Sequence, residues 1–424
     1  MDTFEKIFRD PIHNDIKIEQ RVIYDLINTR EFQRLRRIKQ LGTSSFTFHG
    51  AEHNRFSHSL GVYWIAKSIT DHFSKNFPEK WDSKENLLTQ CAGLLHDLGH
   101  GAYSHTFEHL FNTDHESITQ NLICSKTTEV NAVLRQVSED FPEKVASIIS
   151  HTYPNQQVIQ LISSQIDADR MDYLLRDAYY TGAVYGNFDL KRILHSIQPF
   201  DQEIVFPINA MHAVEDYIVS RYQMYIQVYF HPASRSMEVL LSLILKRAKF
   251  LFSKEKDYFE KNSPYLLPFF EKNFSLEDYL KLDDGVMNTY FQNWIESQDK
   301  ILSQLSRDYI NRKALKSVKF TEETQDKILL LKKIIADEGY DPDFYTEIHK
   351  NYDLPYEDSK VKNSSSKLSI KILNKDGSLE EISKLSPLVS SLTGIQYGDS
   401  RFYFPKKMFE NPDFTNYLTN DKIK

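Results

Sequence analysis

Histidine is concentrated in one stretch of this chain. Nine of its 15 histidines lie between His49 and His115, although the chain has 424 residues. Imidazole binds divalent metals and titrates close to neutral pH, so it serves both metal and proton-transfer chemistry. Since carboxylates accompany these histidines, the clustering indicates a metal or acid–base site.

Four segments carry the residues best suited to such a site. They are RFSHSLGV with His58, LLHDLGHGAYSH with His96 and Asp97, NTDHESI with His115, and DADRMDYLLRD with Asp169. His96 and Asp97, at the end of a predicted helix, offer a nitrogen and an oxygen ligand at one point, and Gly99 ends that helix. One further His and one further Asp from other helices would complete a mixed site for a divalent metal.

Candidate proton carriers follow the His-Asp pair. His105 and Glu108 are spaced three residues apart, as in a helix where a carboxylate orients an imidazole. His109 is expected to face water. Thr113 and Glu116 match a capping box, which predicts that the neighbouring His115 projects from a helix start.

Cations and aromatic residues lie in or near the same segments. A phosphate substrate would need cations, and Arg55, Arg170 and Arg221 are available. Tyr225 and Tyr229 share one helical face, which is typical of a packed core and also of a ligand platform. We interpret the nearby pair Asp172 and Arg176 as an ordinary intrahelical ion pair.

Composition narrows the class of protein. Hydrophobic residues make up 41% of the chain, glycine (13) and proline (14) are scarce, and the net charge is −7. These values favour a helical globular protein and give no reason to expect nucleic acid or a membrane as partner. Cys91 and Cys124 are expected to be buried free thiols, and without a visible secretory signal a cytoplasmic location is expected. The chain contains no H-E-x-x-H, P-loop or G-x-S-x-G motif.

Apolar periodicity predicts a mostly α body with a small α+β C-terminal region. Ile12, Ile16 and Ile18 indicate an extended start, and Thr29 is placed to cap an early helix. Later helices are predicted at Ser57–Phe73, Glu85–Leu95, Ser117–Ile123, Asp140–His151, Ile159–Tyr180, Leu190–Ile197, Ala210–Tyr229, Arg235–Phe252, Leu276–Leu302 (broken internally) and Thr321–Asp337.

The division is predicted near Tyr356, before the polar stretch Glu357–Lys367. It gives a helical body over residues 1–356 and a C-terminal region over residues 357–424. In the latter, alternation near Ile370, the turn Asn374–Gly377 and the segments Leu379–Ile382 and Arg401–Phe404 predict short strands.

The motifs resemble one known family. FRDPIHNDIKI, FQRLRRIKQLGTSSFTFHGAEHNRFSHSLGV, AGLLHDLGHGAYSHTFEHLF and DADRMDYLLRDAYYTGAVYGNFDLKRI are similar to the deoxynucleoside triphosphate triphosphohydrolases of the HD-domain phosphohydrolases. The resemblance runs from about Ile7 to Ile193. It implies an HD core over about residues 50–180 and hydrolysis of a dNTP to a deoxynucleoside and inorganic triphosphate.

The resemblance also implies a set of site residues. The metal ligands would be His58, His96, Asp97 and Asp169, holding Fe, Mn, Zn, Ni or Mg, with Mg also expected to accompany the substrate. Substrate contacts would be Gln40, Leu41, Arg55, His100, His105, Arg170, Tyr173, Asp177, Arg221, Tyr225 and Tyr229. The catalytic group would be His115, His105, Glu108 and His100, and either His115 or His105 would protonate the departing 5′-oxygen.

An activating nucleotide and an oligomer are further implications. The family's activator contacts correspond to Lys6, Ile7, Asn28, Gln33, Arg36 and Arg192. Asn28 replaces an Asp that reads guanine, so the activator need not be dGTP. Such a site lies between subunits and implies a homo-oligomer, a tetramer or a dimer. Arg34 and Arg37 are interpreted as ordinary surface charges.

Two other functions stay open. One is an HD-superfamily phosphohydrolase acting on other nucleotides, for example a 5′-nucleotidase. The other is a catalytically silent nucleotide sensor, which would be expected to have lost a metal ligand.

Overall fold

The computed structural model describes residues 4–320, 325–353, 356, 369–394 and 397–419. The predicted mostly α fold is confirmed. The α-helices are α1 (Arg21–Ile27), α2 (Arg30–Arg34), α3 (Arg55–Asn76), α4 (Glu85–Leu95), α5 (His105–Phe111), α6 (His115–Cys124), α7 (Glu129–Leu134), α8 (Phe141–Ile149), α9 (Gln156–Ile162), α10 (Ala168–Thr181), α11 (Leu190–Ser196), α12 (Met211–Met224), α13 (Pro232–Phe252), α14 (Lys256–Asn262), α15 (Leu267–Phe270), α16 (Leu276–Leu280), α17 (Asp284–Trp294), α18 (Lys300–Ile310), α19 (Gln325–Asp337), α20 (Pro342–Tyr345), α21 (Ile382–Leu385), α22 (Pro387–Leu392) and α23 (Pro412–Thr419). A π-helical turn, Tyr225–Tyr229, extends α12.

Nine short strands form three small sheets within the described residues. They are β1 (Lys6–Asp10), β2 (Asn14–Ile18), β3 (Gln198–Phe200), β4 (Glu203–Pro207), β5 (Lys316–Lys319), β6 (Glu347–Asp353), β7 (Lys371–Leu373), β8 (Leu379–Glu381) and β9 (Tyr397–Phe404). The orders are β1-β2, β3-β4-β7-β8 and β5-β9-β6. The predicted C-terminal strands therefore exist, with β7 and β8 joined by the predicted turn. They pair with strands that precede Tyr356, and the predicted division at that residue stays a prediction.

The helical core is built on α3, which packs against both α4 and α10. Val62, Ile65, Ile69 and Phe73 are fully buried on α3. Gly61 lies where α10 approaches: a Cβ on it would come within 1.8 Å of the Asp172 carboxylate. The absence of a side chain at Gly61 therefore lets α10 bring Asp172 against α3.

Capping explains where several helices begin. Thr29 accepts a hydrogen bond from the Phe32 backbone N–H, as predicted. The capping box predicted from Thr113 and Glu116 is wrong: Asp114 caps α6 instead, by accepting from the Ser117 N–H at 2.7 Å. An Asp at this position satisfies an N–H at the helix start as well as Thr does, so the sequence matched two caps one residue apart.

The helix predicted over Ile159–Tyr180 is interrupted. Helix α9 ends at Ile162, and α10 begins after Asp167, whose carboxylate accepts from the backbone N–H groups of Ser164 and Arg170, both at 2.7 Å. The apolar period continues across this break, but the N-cap starts a new helix. Asp169 consequently lies in the first turn of α10.

Arg34 is not the surface charge that the sequence suggested. Its side chain is buried, and its guanidinium donates to the carbonyl oxygens of His100 (2.8 Å) and Leu282 (2.8 and 3.0 Å). The interpretation failed because both carbonyl partners are distant in sequence. Arg37 is more than half exposed and pairs with Asp283, as expected of a surface charge.

Two expectations about the whole chain can be compared with this fold. Cys91 is buried and Cys124 half-buried, and both are free thiols. Among the described helices, none combines the length and the apolar character needed to cross a bilayer.

Replacement of Arg34 by alanine is expected to destabilise the fold by about 2 kcal/mol or more, because buried carbonyls lose their donor. Chemical denaturation measures this free energy of unfolding. Arg9→Ala is the matched control, because Arg9 is largely exposed in its pair with Asp15 and should cost less than about 0.5 kcal/mol. Equal stabilities of the two variants would show that the Arg34 contacts are not a structural requirement.

Candidate active site

The four residues predicted as metal ligands lie together. His58 comes from the first turns of α3, His96 and Asp97 directly follow α4, and Asp169 lies in the first turn of α10. The Nε2 atom of His58 is 3.0 Å from Asp169 Oδ1, and that of His96 is 3.3 Å from Asp97 Oδ1 and 3.5 Å from Asp169 Oδ1. Three segments distant in sequence thus converge on one point.

Both histidines direct their Nε2 atom toward that point, because their Nδ1 atoms are bonded elsewhere. His58 Nδ1 donates to the Asp172 carboxylate at 2.8 Å, and His96 Nδ1 donates to the Gly93 carbonyl at 2.9 Å. A ligand histidine normally uses its second nitrogen in this way, which fixes the tautomer and the ring orientation. His96 Nε2 is moreover buried without a hydrogen-bond partner, as expected of an atom that a metal ion would complete.

The carboxylates at this point are kept ionised. Burial raises the pKa of Asp169, but the adjacent imidazoles of His58 and His96 outweigh this effect and lower that pKa. For Asp97, burial again raises the pKa, and the neighbouring Arg55 guanidinium holds it well below the usual range. His58, His96 and Asp169 have ligand atoms close enough to hold one ion, and Asp97 lies beside them. Imidazole and carboxylate donors of this kind fit a divalent transition metal.

Asp172 supports this centre. Its fully buried carboxylate also accepts from His13 Nε2 (2.6 Å) and from the Arg176 guanidinium (2.8 and 2.9 Å). The Arg176 guanidinium also donates a hydrogen bond to the Asp10 carboxylate, at 2.8 Å. The predicted Asp172–Arg176 pair is therefore present, but it is part of a buried network that orients His58.

A cavity of about 550 Å³ opens above the metal ligands. Its walls combine catalytic candidates with polar and aromatic side chains. The lining residues include Gln40, Leu41, Thr43, Ser44, Arg55, Asp97, His100, Tyr103, Ser104, Thr106, His115, Asp169, Tyr173, Asp177, Tyr225, Tyr229, Phe230, Arg235, Glu238 and Lys350. Lys350 comes from β6, so the sheet β5-β9-β6 also contributes to this cavity.

On one wall, His100 and His115 stack with ring centroids 4.0 Å apart and 16° between the planes. Glu108 Oε1 lies 3.1 Å from Nδ1 of His115 and 3.5 Å from that of His100. These three side chains could reach one ion. However, an ion in the plane of one stacked ring would lie well outside the plane of the other, so the geometry better suits a carboxylate that orients imidazoles.

The two stacked imidazoles have opposite pKa shifts. Burial, together with the Arg55 charge, lowers the pKa of His100 to about 4. Burial also disfavours the charged form of His115, but its hydrogen bond with Glu108 outweighs this and raises the pKa. His100 is therefore neutral near pH 7, and His115 is the better proton carrier of the two. The side chain of His105 lies outside the described part of the structure.

Two predicted substrate contacts, Arg170 and Arg221, are not among the described residues that line the cavity. Arg170 and Arg221 are both buried, and the positive charge of Arg170 acts on Arg221. The Arg170 Nη1 atom is buried without a hydrogen-bond partner. The Arg221 guanidinium lies 5.5 Å from the centroid of the Tyr225 ring. Arg170 Nε lies 3.4 Å from the Asp167 carboxylate, which offsets part of this positive charge.

Two further contacts organise the cavity. Arg55 donates to Asp97 and, at 2.9 Å, to Ser104 Oγ. Asp177 accepts from His53 Nε2 and from the Tyr229 hydroxyl, both at 2.7 Å. Neither His13 nor His53 was singled out from the sequence, because their carboxylate partners, Asp172 and Asp177, follow far along the chain.

The residues predicted to contact an activator lie at the surface, away from the cavity lining. Lys6 and Ile7 are exposed on β1, and Arg192 is exposed on α11. Gln33 accepts from Arg36 at 2.9 Å and donates to the Ile27 carbonyl, so it is close to the end of α1. Asn28, exposed at that end, donates to the Tyr24 carbonyl.

Replacement of one of the candidate metal ligands should prevent metal binding at this centre. His96→Ala or Asp169→Ala is expected to lose bound metal, measured by elemental analysis of purified protein, with unchanged helical content by circular dichroism. His109→Ala is the control, because His109 is exposed on α5. Metal content at the wild-type level in both ligand variants would refute the proposed ligand set.

Replacement of Asp172 tests the supporting network. Asp172→Asn keeps the shape of the side chain but replaces one acceptor oxygen by an amide N–H₂ group. That group would face the hydrogen-bond donors that now bind Asp172, so His58 would lose its fixed orientation. We expect metal affinity to fall by roughly 10–100-fold, measured by competition with a chelator. An affinity equal to that of wild type would mean that Asp172 serves the fold alone.

Comparison with known proteins agrees with this geometry. The profile of the HD domain matches residues 55–177, and that of the HD-associated region matches residues 188–413. The uncharacterized protein YwfO of Bacillus subtilis is 49% identical over 406 residues, which cover 95% of this chain and 93% of that protein. A phosphohydrolase from Bacteroides thetaiotaomicron has a similar structure, with a TM-score of 0.80 and 28% identity, covering 95% of this chain and all of that one.

A more distant relative has a named activity. The deoxynucleoside triphosphate triphosphohydrolase SAMHD1 of Danio rerio is 34% identical over 224 residues, which cover 45% of this chain and 36% of that protein. The shared stretch is thus partial. Profile, full-length similarity and the His/Asp centre agree on one classification: this chain belongs to the HD-domain phosphohydrolases.

Proposed function

We propose that the protein hydrolyses deoxynucleoside triphosphates to a deoxynucleoside and inorganic triphosphate. The observation that carries the proposal is the 550 Å³ cavity, in which the metal ligand Asp169 shares walls with Gln40, Leu41 and Tyr229. A nucleotide placed there has its phosphates at the HD centre and its nucleoside between the polar and aromatic walls. The partial similarity to SAMHD1 supports this substrate class.

Three guanidinium groups support binding of the triphosphate. Arg55 lines the cavity and contacts Asp97. Arg170 and Arg221 are buried close to the lining residues Tyr173 and Tyr225, respectively. Guanidinium groups bind phosphate oxygens in a bidentate manner. The free Nη1 of Arg170 and its repulsion with Arg221 both favour an anionic ligand.

Gln40 and Leu41 support selection of the sugar. The Gln40 amide oxygen is buried without a hydrogen-bond partner at the cavity wall, so it can accept from a sugar hydroxyl. Leu41 beside it offers only an apolar surface. A 2′-hydroxyl packed against such a surface loses its hydration without compensation, which disfavours ribonucleotides.

The chain's own residues also supply proton transfer. A divalent ion at the HD centre would supply Lewis acidity for attack of water at the α-phosphorus. Glu108 orients His115 and raises its pKa, so that His115 carries the proton that the departing 5′-oxygen needs. His105 remains the alternative acid.

Product analysis tests the reaction. With each dNTP and Mg²⁺ or Mn²⁺, chromatography should show a deoxynucleoside and inorganic triphosphate, and dATP should react faster than ATP by roughly 10-fold or more, as expected for about 1–3 kcal/mol of discrimination. Asp169→Ala is the control for contaminating activity. Release of orthophosphate from deoxynucleoside monophosphates alone would instead indicate a 5′-nucleotidase, and equal rates on dATP and ATP would contradict the sugar selection.

We also propose a homo-oligomer with an activator between subunits, supported by the surface location of Lys6, Asn28, Gln33, Arg36 and Arg192. A tetramer of two-fold pairs is the expected form, stabilised by bound nucleotide through mass action. Sedimentation and steady-state rates should change together as each dNTP is titrated. A monomer with hyperbolic kinetics under all conditions would contradict both parts.

A further inference from the structure

The segment from the end of α16 to the start of α17 (residues 279–284) contacts the backbone of the loop that carries His100. Tyr279 donates its hydroxyl hydrogen to the Gly99 carbonyl at 2.7 Å. Arg34 connects the Leu282 carbonyl to the His100 carbonyl. This segment belongs to the HD-associated region, whereas the His100 loop belongs to the HD domain.

Asp284, the first residue of α17, makes the most consequential of these contacts. One carboxylate oxygen accepts from the Tyr103 backbone N–H at 3.0 Å, and the other accepts from the Lys39 N–H at 2.8 Å. The side chain is buried. Lys39 precedes Gln40 and Leu41, and Tyr103 precedes Ser104, so one carboxylate joins the two cavity walls.

The backbone at the contact between Asp284 and Tyr103 is strained. Tyr103 has a φ of 56° and Ser104 a φ of 46°, in the left-handed region that favours glycine. Non-glycine residues stay in such a conformation only where surrounding contacts enforce it, and these sites are often functional. The bond from Tyr103 N–H to Asp284 is one such contact, and the bonds from Arg55 to Ser104 Oγ are another.

We propose that Asp284 is a positioning residue for the substrate cavity. It sets the distance between the wall of Gln40 and Leu41 and the wall of His100 and Ser104, and so fixes the width that accepts a deoxyribose. The inference rests on the proposed function for its substrate, but the joining of the two walls is independent of it.

The ionisation of Asp284 agrees with this role. Burial raises its pKa to about 6, against the lowering effect of the Lys39 and Tyr103 N–H groups. The carboxylate is therefore charged at neutral pH and accepts two hydrogen bonds at once. An asparagine in its place has one acceptor oxygen and would direct its N–H₂ toward the second donor.

Asp284→Asn is the test variant, and Asp283→Asn is the matched control. Asp283 caps α17 and pairs with Arg37, but it contacts neither cavity wall by hydrogen bond. For Asp284→Asn, we expect kcat/KM on dATP to fall about tenfold or more, because small misplacement of reacting groups is costly, and the dATP-to-ATP preference to shrink. Asp283→Asn should lower Tm while both values stay at the wild-type level.

Hydrogen exchange provides a measurement that does not require catalysis. In Asp284→Asn, peptides covering residues 39–44 and 100–104 should exchange faster, while metal content stays equal to wild type. If the wild-type protein were inactive on every dNTP, the proposed function would be refuted. The exchange rates would still show whether Asp284 holds the two cavity walls together. If Asp284→Asn does not fold, we expect the same changes in exchange and activity for Asp284→Glu. Unchanged exchange and sugar preference in the folded variant would overturn the proposal.

Discussion

The buried carboxylate of Asp172 is the constraint on which the metal centre depends. It joins three separate parts of the chain, because its partners are His13 after β1, His58 on α3 and Arg176 on its own helix. Removal of one partner from a buried charged network costs about 3–5 kcal/mol, so these elements are fixed together. Gly61 permits the close approach of α10 that this network needs. The direction of the His58 ring follows from these contacts.

The parts of the chain that surround the HD core complete the site. Arg34 and the segment ending at Asp284 fix the loop of His100 from outside, through bonds to backbone carbonyl and N–H groups. Bonds to backbone groups hold a loop without using its side chains, and those of His100 and Ser104 line the cavity. The opposite pKa shifts of His100 and His115 follow from their positions: burial and the Arg55 charge dominate at His100, whereas the hydrogen bond with Glu108 dominates at the less buried His115.

Residues with distinctive chemistry could be predicted from the sequence, whereas contacts between distant segments could not. The His96-Asp97 pair and Asp169 are unusual in type and spacing, and the structure brings them together. Asp172 fitted an ordinary pair with Arg176, and nothing local indicated that His13, 159 residues away, shares its carboxylate. The β7–β8 turn was visible in Asn374–Gly377, but the parallel pairing of β7 with β4 was not, since local alternation does not define a distant register. The break before α10 is set by the N-cap at Asp167. It was not predicted, because the apolar periodicity continues without interruption from α9 into α10.

In the proposed reaction, water attacks the α-phosphorus of a nucleotide bound at the HD centre. Hydrolysis of a dNTP in ¹⁸O-labelled water, followed by mass spectrometry of both products, identifies the atom that is attacked. Attack at the α-phosphorus breaks its bond to the 5′-oxygen, so one labelled oxygen is expected in inorganic triphosphate and none in the deoxynucleoside. Label in the deoxynucleoside, or in orthophosphate released from the γ-position, would rule out this reaction.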